Sequence, residues 1–107
     1  MGFKVENSVK GIKGELELNE EKYTYTAYPV TSDVMKLMIK AQRDEDELAS
    51  LEALDKYFDE CIDFDKTGFK NPKETVRKAL DRSGKLYEFI NYVIEEVGKQ
   101  TKAAQKG

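Results

Sequence analysis

Hydrophobic periodicity changes once along the chain, close to Pro29. Before that point GELELNEEKYTYTAYPV alternates: Leu16 and Leu18 share a face in a first run, Tyr23, Tyr25 and Ala27 in a second, with Thr24 and Thr26 opposite. Alternation over such short runs marks half-buried strands. Asn19, Glu20 and Glu21 separate the runs, so the pattern predicts a β-hairpin turning there. Residues 1–13 have glycines at 2 and 11 and no sustained period, and read as a mobile or weakly paired start. A lone hairpin is marginal in water, so its apolar face must rest on helices or on another chain.

After Pro29 the spacing becomes helical. Thr31 or Ser32 is placed to cap a helix whose stripe is Val34, Leu37, Met38 and Ala41, with Asp33 at its positive end. A second stripe runs Leu48, Leu51, Leu54, Phe58 and then Cys61 or Ile62. The intervening polar run fits either a break or the wet middle of one long helix, and periodicity does not choose between them. Asn71-Pro72-Lys73-Glu74 predicts a helix start, with Asn at N-cap, Pro at N1 and Glu at N3. That helix buries Val76, Ala79 and Leu80 and stops near Ser83-Gly84. The last stripe, Leu86, Phe89, Ile90, Val93, Ile94 and Val97, ends at Gly98, and the remaining KQTKAAQKG should fray as a flexible tail. The expected architecture is α+β: an N-terminal antiparallel hairpin and three or four helices in one domain over residues 1–98.

Charge adds an asymmetry to this layout. Overall the 107 residues carry a net charge of −3, but residues 44–65 hold a local balance of −9 and residues 70–106 one of +4. Opposite charge in successive elements predicts that they attract one another, or a neighbouring subunit. Histidine is absent and Cys61 is the single cysteine, which removes the usual nucleophile–base pairs and most zinc constellations. Asp59 and Asp63 fall on one helical face but, in so acidic a chain, receive no catalytic role. The expectation is a protein that is not an enzyme and uses no cofactor. No apolar run approaches a membrane span and no secretory h-region opens the chain, so a cytoplasmic location is expected.

DFDKTGFKNPKE, residues 63–74, tests this against a sharper possibility. Asp63, Asp65, Thr67, Gly68 and Glu74 match positions 1, 3, 5, 6 and 12 of an EF-hand calcium loop. Against that, Lys70 stands at position 8, no second loop exists to pair with it, and Glu74 is equally explained as the N3 residue of a helix. A second alternative is a helix-turn-helix regulator binding nucleic acid through Lys73, Arg77, Lys78, Arg82 and Lys85. Glu88, Glu95 and Glu96 on the last helix would repel phosphate, which disfavours it.

From about Gly14 to Gly98, the order of elements resembles the tail assembly chaperones of long-tailed phages. The resemblance lies in the hairpin ELELNEEKYTYTAYPV leading into SDVMKLMIKAQ, the aromatic-acidic KYFDECIDFD, the capped NPKETVRKAL and the closing FINYVIEEV. It implies a non-enzymatic assembly role in the bacterial host cytoplasm: keeping the tape measure protein soluble, bringing tail tube protein to it, and self-associating. It also implies that a frameshifted longer form would join at KQTKAAQKG. Tyr57, Tyr87 and Tyr92 lie beside the main stripes, where aromatics serve either as core edge or as partner-binding anchors.

Overall fold

The computed structural model describes residues 11–65 and 70–106, with side chains placed as far as Lys99. The expected hairpin forms from β1 (Ile12–Leu18) and β2 (Glu21–Ala27), paired antiparallel with Gly14 opposite Tyr25 and Leu18 opposite Glu21. Its turn is two residues long, Asn19 and Glu20, both with positive φ (51° and 68°), so Glu21 belongs to the strand. Left-handed backbone at both positions is the twist that a tight antiparallel hairpin needs. The first strand begins at Ile12, inside the stretch read as mobile; residues 1–10 lie outside the described residues.

Two helices follow: α1 (Ser32–Asp44) and α2 (Glu47–Cys61). Thr31 caps α1 by accepting from the Val34 N–H at 3.3 Å. The polar run between the stripes is a break: Glu45 turns left-handed (φ 50°), its N–H closing on the Ala41 carbonyl, and Asp46 caps α2 by accepting from Leu48 and Ala49 N–H. The inner face of α2 differs from the expected stripe. Ala49, Ala53, Leu54, Tyr57, Phe58 and Cys61 are buried, whereas Leu48 and Leu51 face outward. Apolar residues stand in most directions around α2, so period alone does not pick its inner face; the large rings of Tyr57 and Phe58 do.

Ile62–Phe64 leaves α2 as β3, a third strand that the helical reading missed. It pairs antiparallel with β2, giving the order β1-β2-β3. Ile62 and Phe64 point inward and Asp63 outward. Then come α3 (Pro72–Arg82) and α4 (Leu86–Lys106). Asn71 stands at the N-cap of α3 as expected, but its backbone is left-handed (φ 49°) and its side chain makes no capping bond. α4 continues through Gly98 to Lys106, past the end predicted for it. A mid-helix glycine costs only about 1 kcal/mol relative to alanine, and the Lys, Gln and Ala beyond it are good helix formers.

The core lies where the inner face of the sheet meets α2, α3 and α4. Tyr57, Phe58, Ile62, Val76, Ile90 and Val93 are fully enclosed, with Val34 contributed by α1. Rings join the layers: Tyr25 meets Phe64 at 5.8 Å and Phe89 edge-on at 5.5 Å, and Phe64 meets Phe58 at 5.9 Å. The protein is therefore α+β, with a hairpin at the N-terminal side and, among the described residues, four helices.

Candidate functional site

The acidic and basic halves of the chain come together along α2 and α3. Arg77 reaches Asp55 at 2.9 Å and Asp59 at 3.2 Å, while its guanidinium lies over the Phe58 ring. Lys73 donates to the Asp59 carbonyl at 2.6 Å and sits over the same ring. Tyr87 on α4 donates to the other Asp55 oxygen at 3.2 Å, so Asp55 ties three helices together. These basic residues were the proposed nucleic-acid face, and Lys73 and Arg77 are occupied in holding α3 against α2. Lys78 pairs with Glu74 along α3, and Lys85, just before α4, pairs with Glu88 in its first turn.

Beside this joint, a cleft of about 890 Å³ opens between α2, β3 and α3, floored by Phe58 and Phe64. Asp59, Asp63, Lys73, Glu74 and Arg77 line it, three acids against two bases. It contains two of the calcium candidates, Asp63 and Glu74. Asp63 projects from β3 opposite Thr26, and Glu74 is paired with Lys78 at 3.1 Å. Asp65 is drawn to β2 instead: it accepts from the Thr24 hydroxyl, and its N–H donates to the Thr24 carbonyl. Thr67, like Gly68, lies outside the described residues. Asp63 and Asp65 therefore start from an extended ladder rather than from the tight coil that wraps a calcium ion. Among the described residues no group of three or more Asp, Glu, Cys or His is placed to hold a metal ion.

The three tyrosines separate sharply. Tyr57 is in the core, its hydroxyl donating to the Tyr28 carbonyl at 2.8 Å, so of the two roles open to it the partner-binding anchor is ruled out. Tyr87 is half-buried at the Asp55 node. Tyr92 is 55% exposed. Burial raises the pKa of Tyr57 strongly and is also the main cause raising Tyr23, Tyr25 and Tyr87. The buried Cys61 thiol is pushed up for the same reason. All five shifts disfavour the anionic, nucleophilic form.

Away from this joint, α1 and α2 each leave apolar side chains exposed. Met35 and Ile39, four apart on α1, and Leu48 and Leu51, three apart on α2, are exposed, Leu48 to 66%. Between α1, α2 and α4 runs a groove of about 480 Å³ whose floor includes Met38, Ala41, Ala53 and Leu54 and whose rim includes Glu45, Asp46 and Glu47. Hydropathy flagged these leucines as core; their exposure follows from the break at Glu45–Asp46 and from the inward arc that Tyr57 and Phe58 impose, neither visible in period alone. No helix among the described residues is long and apolar enough to cross a membrane.

Compared with family models, curated proteins and solved structures, the chain gives no significant match.

Proposed function

We propose that this protein is a tail assembly chaperone of a long-tailed phage, acting without catalysis in the host cytoplasm to keep the tape measure protein soluble while tail tube protein is brought to it. The order of elements supports the reading through the family resemblance. The observation that carries it is the exposure of four large apolar side chains on two consecutive helices, Met35 and Ile39 on α1 and Leu48 and Leu51 on α2. Exposed apolar side chains concentrated on one pair of helices are the chemistry a holder of a long hydrophobic chain requires. Tyr92 adds an amphipathic ring on α4. The calcium and nucleic-acid readings draw no support from the arrangement of Asp63, Asp65, Glu74, Lys73 and Arg77.

Co-expression tests the proposal. On this proposal a very long, coiled-coil-rich polypeptide is encoded immediately downstream, and that polypeptide is produced with and without this chain. Soluble partner in the presence of the chain and aggregated partner in its absence are expected; equal insolubility in both would reject the proposal.

A further inference from the structure

The sheet ends at β1, and among the described residues nothing pairs with its outer edge. The opposite edge, β3, is three residues long, whereas β1 offers seven. The direction of its free backbone groups follows from the register. Thr24 lies opposite Glu15, and its carbonyl accepts from Asp65 of β3, so it faces away from β1. In an antiparallel ladder the partner of such a residue also faces away. The N–H and C=O of Glu15, and by alternation those of Lys13 and Glu17, therefore point out of the sheet.

The geometry points to a symmetric dimer in which β1 pairs antiparallel with β1 of a second copy, about a two-fold axis through Gly14, joining two sheets into one of six strands. The side chains select this register. Centred on Gly14, each Lys13 faces a Glu15 across the axis and each Ile12 faces a Leu16. Centred on Glu15 the axis sets Glu15 against Glu15; centred on Leu16 it sets each Glu15 against a Glu17; centred on Lys13 it sets lysine against lysine. Like charges directly opposite destabilise a strand pair, and opposite charges support it. A purely protective edge gains from charges of one sign, whereas this one carries both signs in self-complementary order.

Glycine at the axis fits. Gly14 is already covered by its own Tyr25 ring, so closely that a Cβ there would collide with the ring. Two glycines meeting at a non-hydrogen-bonded position, each roofed by an aromatic, leave neither a clash nor a hole. Ile12 and Leu16, half-buried on the same face, gain cover from one another. Such a contact is isologous and closed, which limits assembly at this edge to two copies.

This dimer requires nothing of the tail-assembly reading and is tested on the full chain alone. Sedimentation velocity over a concentration series should show a monomer–dimer equilibrium. Lys13→Glu or Glu15→Lys turns two attractive cross-strand pairs into two repulsive ones and should weaken dimerisation about tenfold. The double swap Lys13→Glu with Glu15→Lys restores opposite charges and should return the constant to within about twofold of the original. Glu15→Pro removes an outward N–H that β2 does not use, and should leave a monomer with an unchanged circular dichroism spectrum. A chain that stays monomeric at every concentration, or a double swap no better than either single reversal, would overturn the inference.

Discussion

Tyr57 is the most informative single side chain to alter. Its ring is fully enclosed and its hydroxyl donates to the Tyr28 carbonyl at 2.8 Å, tying α2 to the connection that leaves β2. Tyr57→Phe keeps the ring and deletes that donor. The lost bond is worth about 1 kcal/mol net, and a carbonyl left partly unsatisfied adds up to about as much again. A loss of about 1–2 kcal/mol follows, and for a domain of this size the melting temperature should fall by about 4–8 °C. Thermal and urea unfolding followed by circular dichroism measure it, with Tyr92→Phe as control, since that ring is exposed and its substitution should stay within about 0.5 kcal/mol. Equal, small effects for the two variants would refute the placement of Tyr57 and, with it, the way α2 docks on the sheet.

Three further outcomes follow from the same structure. Arg77→Ala removes contacts to Asp55 and Asp59 and the stacking on Phe58, and should cost about 1–2 kcal/mol, partly exposed as the pairs are; in 1 M salt the difference from the parent should shrink, measurable by urea midpoints. Glu20→Gly relieves a left-handed glutamate (φ 68°) in the hairpin turn and should stabilise by about 0.5–1 kcal/mol after the entropy of glycine is set against the relief, raising the melting temperature by a few degrees. On the alkaline side, Tyr57 and Tyr25 have pKa values raised by burial above the ordinary 10.0, so above pH 10 the unfolded chain has lost protons that the folded chain keeps. Stability is then full below pH 10 and falls as pH rises, by up to about 1.4 kcal/mol per pH unit for each such tyrosine, and Tyr57→Phe should flatten the slope of melting temperature against pH.

Sequence patterning located most of the backbone because local signals and tertiary packing agree there. Tyr23, Tyr25 and Ala27 alternate and all three are buried; Leu86, Ile90, Val93 and Val97 repeat at helical spacing and form the inner face of α4. The charge split likewise anticipated contact between α2 and α3, realised at Asp55, Asp59 and Arg77. The pattern failed where one signal served two structures. Ile62 and Phe64 extend a helical stripe as readily as they alternate, and their pairing with Ala27 and Tyr25 decides for a strand. Leucine at 48 and 51 outranks alanine at 49 and 53 in hydropathy, yet the alanines are enclosed and the leucines exposed. That reversal leaves apolar side chains exposed on α1 and α2: a side chain's polarity is legible in the sequence, while which neighbour removes it from water is a property of the assembled fold.

The decisive measurement is capture of the proposed tape measure partner by the exposed leucines. The affinity-tagged chain and its Leu48→Glu, Leu51→Glu variant are each co-expressed with the proposed tape measure partner, and the amount co-purified is compared. Both substitutions lie on an exposed face and leave the core intact, which the melting temperature of the isolated variant verifies. Stoichiometric co-purification is expected with the parent chain and at least about tenfold less with the variant, the loss that follows when two apolar contacts of about 1 kcal/mol or more each are removed. Equal recovery with both, or recovery with neither, would contradict the proposal.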